Sequence, residues 1–245
     1  MSSTVQQHYD THLASYYDWI FGGWDTKLEE NRRFFEAHHI VPTRSGRALD
    51  LGCGSGFQSV PLAEAGFHVT AVDISRELLL QLRERIGTLS ITPAHADIMT
   101  FLRQQQKPYE LCVCMGDTLP HLPDEETVQQ LFHEVFRVLD DGGICILSFR
   151  DYSHALTGAD RFIPVRSDSS TIFTCFLEYE EKYVSVHDLV YRNIDGAWTL
   201  STSCYRKVRL SVEWVIDRLQ EVGFTVCVQQ MHRGMKTLIA RKKTG

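Results

Sequence analysis

Apolar residues recur along this chain with two different periods. Near the N-terminus Tyr9, Leu13, Tyr16, Tyr17 and Ile20 return at helical spacing. Residues 4–40 are therefore predicted to be helical, broken at Gly22-Gly23 and resumed from Asp25 to Ala37, with Leu28, Arg32 and Phe35 in series. Pro42 to Gly46 reads as a connector. Short apolar runs then alternate with helical segments. Strands are predicted at Arg47–Leu51, Phe67–Val72, Ser90–His95, Tyr109–Met115 and Ile144–Phe149. Between them lie a helix at Phe57–Ala65 closed by Gly66, one from Arg76 to Ile86 capped by Ser75, a short one at Asp97–Gln106, and one from Asp124 to Leu139 ended by Gly142-Gly143. Such alternation implies a parallel sheet with helices on both faces.

The period changes after residue 160. Thr171–Tyr179, Tyr183–Arg192 and Trp198–Leu210 read as strands, and Asn193-Ile-Asp-Gly196 is a hairpin signal. This segment is expected to form an antiparallel extension on the parallel core. Ser211–Val222 is a helix closed by Gly223, and Phe224–Gln230 and Met235–Arg241 form a final hairpin turning at His232-Arg-Gly234. The sequence holds no internal repeat and no low-complexity tract.

Composition narrows the class without naming a function. A chain of 245 residues fits one large domain and buries a core without staples. The expected division is an N-terminal helical cap over 1–45, a core over 46–150 and 211–242, and the antiparallel extension over 160–210. A net charge of -6 argues against nucleic acid as the main partner, since phosphate contacts want a basic face. The 7 cysteines are dispersed and form no C-x-x-C, which points to a reducing, cytoplasmic setting and no structural metal. No apolar h-region and no membrane-length run is found.

The chemistry sits in Ala48-Leu-Asp-Leu-Gly-Cys-Gly-Ser-Gly56. Strand, glycine turn, helix, strand and then an acid, Asp73, is the layout of a nucleotide-binding βαβ unit. The dinucleotide fingerprint G-x-G-x-x-G fails, because Phe57 or Ser59 stands where its last glycine belongs. Asp50 would repel a pyrophosphate and attract an ammonium. That contrast points away from NAD and towards S-adenosylmethionine.

Asp50-Leu-Gly-Cys-Gly-Ser-Gly56 resembles motif I of the class I S-adenosylmethionine-dependent methyltransferases. The resemblance implies a doubly wound α/β fold with a seven-stranded mixed sheet. Gly52, Gly54 and Gly56 then form the cofactor loop, with Asp50 serving the amino-acid end. It also implies that Asp73, followed by Ile74, binds the ribose hydroxyls. Asp97 would meet the adenine amino group with Ile98 flanking the ring, and Met115 the methionine part. Tyr17 is the aromatic expected to close over the cofactor, while Trp24 reads equally as lid or core. The extension and the aromatic N-terminal helices resemble the small-molecule branch, such as the glycine and sarcosine N-methyltransferases. The implied acceptor is a small molecule, with S-adenosylhomocysteine as product.

Asp117 and His121 follow the fourth parallel strand, at the sheet edge where ligands sit. Either is placed to act as a base or substrate contact, and a structural role is the alternative for each. Arg150 would bind a substrate carboxylate or form a surface ion pair, with Tyr152 and His154 beside it. Tyr205 and Arg206 in the extension would reach back over the pocket. No Asn-Pro-Pro-Tyr or Asp-Pro-Pro-Tyr follows that strand, which lowers nucleic-acid and protein substrates. The competing readings are a silent S-adenosylmethionine-binding module and an aminopropyl transferase. The latter usually adds acids for a polyamine, and residues 117–122 offer only Asp117.

Overall fold

The computed structural model describes residues 5–232 and 234–243. Residues 1–4, the first of the predicted helical region among them, Arg233 of the closing turn and residues 244–245 lie outside that range. The N-terminal segment opens with α1 (Val5–His8), passes through a π turn (Tyr9–Leu13) and a 3-10 turn (Ala14–Tyr16), and continues as α2 (Tyr17–Ile20) and α3 (Trp24–Ala37). The expected N-terminal helix is thus a series of single turns. It is held by side chains: Ser75 Oγ donates to Asp10 at 2.6 Å, and Arg85 pairs with Asp18 at 2.5 Å.

The alternating region follows as β1 (Arg47–Leu51), α4 (Ser59–Glu64), β2 (His68–Asp73), α5 (Arg76–Arg85), β3 (Ile91–His95), α6 (Ile98–Arg103), β4 (Tyr109–Cys114), α7 (Glu125–Val138) and β5 (Leu139–Arg150). Each of α5, α6 and α7 starts at a side-chain cap: Ser75, Asp97 and Asp124 accept from the backbone N–H three residues on. The expected boundaries hold within a few residues, except that β5 begins at Leu139, ahead of the predicted Ile144, because Gly142-Gly143 continues the strand.

Five parallel strands and a closing hairpin, β10 (Phe224–His232) and β11 (Met235–Lys242), make one sheet in the order β10-β11-β5-β4-β1-β2-β3. β11 is antiparallel to β5. Alternate residues feed two cores. Leu49, Cys112 and Cys114 join Leu102, Phe132 and Leu219 on one face, while Ala48, Leu111 and Val113 join Phe35, Leu62 and Leu79 on the other. Both faces are therefore covered, and every residue of β4 is buried.

The extension is a separate four-stranded antiparallel sheet, β6 (Phe162–Ser167), β7 (Thr171–Tyr179), β8 (Tyr183–Ile194) and β9 (Ala197–Val208), in that order. It adds no strand to the parallel sheet, and β6 was not expected. Its hairpin turns at Asp195 and Gly196, both with positive φ, as a tight primed turn requires. Val184, Val186, Asp188 and Val190 alternate inward. Val184 and Val186 pack with Tyr152 and Tyr205, and Val190 with the N-terminal Leu13. The last helix, α8 (Val212–Val222), returns the chain to the first sheet and ends at Gly223 with φ 113°. No described helix is long and apolar enough to cross a membrane.

Candidate active site

β1 and β4 are neighbours, and the strand order departs from them in opposite directions. Doubly wound sheets bind ligands outside the carboxyl ends of strands at such a reversal. A pocket lies there, open to solvent, with about 740 Å³ of space between its walls and the mouth. Four segments wall it: the glycine loop, the ends of β2 and β3, the loop after β4, and the N-terminal cap.

The glycine loop is shaped by close approach. Gly52 has φ 74°, and a Cβ there would overlap the Thr118 side chain. A Cβ at Gly54, φ 53°, would stand 2.7 Å from the Tyr17 hydroxyl. The Tyr17 ring is itself stacked on Phe57, with centroids 5.4 Å apart and planes 13° off parallel. Phe57, the residue that breaks the dinucleotide fingerprint, thereby supplies the platform for Tyr17. Gly56 has another purpose: it gives room to Leu82 of α5 and does not line the pocket.

Asp73 ties the loop to the end of β2. Its Oδ2 accepts from Gly54 N and its Oδ1 from Ser75 N, each at 2.8 Å. Burial raises its carboxyl pKa, and those N–H groups pull it back. Asp73 and Ile74 line the pocket, as do Asp97 and Ile98 at the end of β3. Asp97 also caps α6 through Thr100 N at 2.8 Å, so one carboxylate both starts the helix and faces the pocket. Asp50 is set back from it. The residue is buried, with Oδ2 accepting from Ser59 Oγ at 2.6 Å and Oδ1 unpartnered. Desolvation, and then Asp73, push its carboxyl up to about 7.

On the opposite wall, Tyr9 of the cap lies with its hydroxyl 3.2 Å from His121 Nε2. The proton sits on either partner. His121 is further enclosed by Tyr205, whose ring is 5.4 Å away and 26° off parallel. Burial, then the Lys207 ammonium and His8, hold the His121 imidazole well below its ordinary pKa, so it is neutral at pH 7. Tyr205 therefore acts from behind His121 and does not face the pocket, contrary to expectation.

Asp117 is the main correction. It sits in the loop after β4 with φ 72°, but its carboxylate faces away from the pocket lining and into a polar cluster. Oδ1 accepts from Arg150 N at 2.8 Å, and Oδ2 accepts from Tyr152 Oη at 3.2 Å and from Lys207 Nζ. A carboxylate that meets these donors outside the pocket lining is a tie between strands and does not face a substrate there. Met115 is buried in the core and presents only its carbonyl, which accepts from Thr118 Oγ1 at 3.0 Å. Arg150 is exposed, opposite Met235 in the closing hairpin, and does not reach the site. His154 is exposed, and Arg206 pairs with Glu180. Trp24 is half-buried, packing on Phe57 under the Arg85 guanidinium outside the pocket lining.

Sequence reasoning missed Tyr9, Thr118 and the Leu122-Pro123 pair as lining residues, and Lys207 altogether. Tyr9 had been legible as an aromatic in the cap. Lys207 meets Asp117 across 90 residues, and no local signal announces such a contact.

The strand order with its antiparallel closing hairpin, and the glycine loop between two strand-end acids, define the fold of the class I S-adenosylmethionine-dependent methyltransferases. Residues 48–143 match the methyltransferase domain family. The chain is 35% identical over 131 residues to a glycine/sarcosine N-methyltransferase of Aphanothece halophytica, a match covering 53% of this chain and 49% of that protein. It thus spans about half the length of that relative. A putative methyltransferase, YqeM of Bacillus subtilis, is 29% identical across 77% of this chain and 75% of its own. In structure the chain is similar to CalS10, an amino pentose methyltransferase from Micromonospora echinaspora solved with S-adenosylmethionine bound: TM-score 0.73, 16% identity, covering 94% of this chain and 95% of that one.

Proposed function

We propose that this protein binds S-adenosylmethionine in the 740 Å³ pocket and catalyses methylation of a small molecule there, releasing S-adenosylhomocysteine. The observation that carries the proposal is the Asp73 carboxylate, which holds Gly54 and Ser75 by their N–H groups while still facing the pocket. Its remaining lone pairs suit the two ribose hydroxyls. Asp97 and Ile98 suit the adenine end, and Gly52 and Gly54 let backbone approach the amino-acid end. Asp50 acts from beneath the loop. The unpartnered Oδ1 of that carboxylate is a buried acceptor in search of a donor.

When bound, the cofactor supplies a sulfonium methyl for in-line transfer to a nucleophile. The chain's own residues exclude water and hold the reactants in line. Tyr9 and Tyr17 close the pocket from the cap. His121 is neutral; with its Nε2–H donating to the Tyr9 hydroxyl, the lone pair is on the buried, unpartnered Nδ1, and it is this atom that takes a proton from the acceptor group, while Tyr9 sets the orientation of the ring.

Val5, Tyr9, Leu122 and Pro123 make the wall beside His121 apolar and aromatic. Among the described lining residues none is a lysine or arginine, and Lys207 is committed to Asp117. Burying an unpaired carboxylate is costly. The wall therefore favours an acceptor without a carboxylate at this end. We read the chain as one functional domain, since cap and core each supply a wall. The 7 cysteines are dispersed along the chain with no C-x-x-C, which supports a cytoplasmic location.

Calorimetric titration with S-adenosylmethionine and S-adenosylhomocysteine tests the site. Both are expected to bind at one equivalent, and no binding by either overturns the reading. Release of S-adenosylhomocysteine across a panel of small amines and phenols then tests the activity.

A further inference from the structure

Lys207 is a buried cation that the proposed chemistry does not use. It lies on β9, 6% exposed, its ammonium paired with Asp117 and flanked by the rings of Tyr152 at 5.7 Å and Tyr205 at 5.6 Å. A buried ion pair is a poor device for stability, because removing two charges from water costs about as much as their attraction returns. What such a pair does well is define a geometry.

The geometry in question is the turn after β4. Asp117 adopts φ 72°, a left-handed conformation that strains a non-glycine residue and persists only where its surroundings impose it. Here the surroundings impose it from three directions. The Asp117 amide donates to Ser148 O at 3.1 Å, its Oδ1 accepts from Arg150 N at 2.8 Å, and its Oδ2 takes Tyr152 Oη and Lys207 Nζ. The two flanking residues, Gly116 and Thr118, line the pocket, and Thr118 presses on Gly52 where only a glycine leaves room. His121 ends the 3-10 turn that follows. Any movement of Asp117 therefore reaches both the cofactor loop and the imidazole.

We propose that Lys207 is a positioning residue: by gripping Asp117 from the second sheet, it sets the 116–121 turn against the glycine loop and so makes the cofactor pocket depend on the extension. This rests on reading the pocket as the S-adenosylmethionine site. The same ammonium, held near His121, contributes to keeping that imidazole neutral.

The test is S-adenosylhomocysteine affinity by calorimetry, with the His121 Cε1–H resonance as a second readout, in Lys207→Met, Lys207→Arg and Asp117→Asn proteins. A displaced turn in Lys207→Met is expected to weaken binding by about tenfold or more. The His121 resonance should shift, and Lys207→Arg, which keeps the charge, should restore most of both. A role in stability alone would lower the melting temperature of Lys207→Met and leave affinity and resonance unmoved, and that result overturns the proposal. If Lys207→Met does not fold, Asp117→Asn decides: wild-type affinity in that protein also overturns it. If the wild-type protein itself binds no S-adenosylhomocysteine, the pocket reading fails. The positioning claim is then judged on the His121 resonance, and an unmoved resonance in Lys207→Met rejects it.

Discussion

The Tyr9 hydroxyl and His121 Nε2 stand 3.2 Å apart, joining the N-terminal cap to the loop after β4 across 112 residues. This contact closes one wall of the pocket and orients the one neutral imidazole among its described lining residues. Replacing Tyr9 by Phe keeps the ring packing and deletes one hydrogen bond, worth about 1 kcal/mol. Turnover with an identified acceptor is expected to fall several-fold, with S-adenosylhomocysteine affinity nearly unchanged. His121→Ala should go further in the same direction. A loss confined to cofactor binding in either variant would remove the pair from the acceptor side.

Asp73 holds the backbone N–H groups of Gly54 and Ser75 and has lone pairs left for a ligand. Asp73→Ala should weaken S-adenosylhomocysteine binding by about 100-fold, consistent with loss of charge-assisted hydrogen bonds worth about 1.5–3 kcal/mol. Titration calorimetry measures this directly. Undiminished affinity would sink the ribose assignment.

Gly54 combines φ 53° with a Tyr17 hydroxyl 2.7 Å from where a Cβ would stand. Gly54→Ala must therefore displace Tyr17 from its stack on Phe57 or move the loop. Destabilisation of about 1–3 kcal/mol is expected by denaturant titration, together with weakened cofactor binding. A Gly54→Ala, Tyr17→Phe protein should recover part of both, since the closest clash is with the hydroxyl while ring atoms at 3.0 and 3.1 Å remain.

Asp50 supplies a pH dependence with a definite sign. Burial raises its folded-state carboxyl from 3.8 to about 7, so between those values the folded chain holds a proton that the unfolded chain has released. The contribution of Asp50 to stability is therefore present at low pH and lost as pH rises through about 7. Asp50→Asn removes that slope, and its melting temperature should gain on the wild type between pH 5 and pH 8. A constant difference across that range would show that Asp50 does not titrate there. His8 opposes this trend: burial lowers it to about 3, so its neutral form favours the folded state above 6.5 and that contribution is lost as pH falls.

Much of the site was legible because its chemistry is local. The spacing of Gly52, Gly54, Asp73 and Asp97 reflects a loop, a strand end and a helix cap, each built from residues close in sequence, and all four line the pocket. The residues after β4 and β5 were read poorly for the opposite reason. Asp117 looked like a free acid at a strand end, and nothing near it in sequence indicates that Lys207 and Tyr152 consume it. Arg150 looked equally well placed, yet as the last residue of β5 it lies out by the closing hairpin. Gly56 read as a cofactor glycine and makes room for Leu82.

Periodicity and glycine placement in the sequence alone determined the doubly wound core, its strand ends and the pocket-lining acids, because hydrogen-bonded turns and apolar faces are encoded within a few residues. Tertiary structure alone decided that residues 162–208 form a sheet of their own, that the cap reaches His121 through Tyr9, and that Asp117 is a tie held by Lys207. Those outcomes depend on which side chains meet across 90 to 112 residues of chain, and such contacts are set by how layers pack rather than by any local pattern.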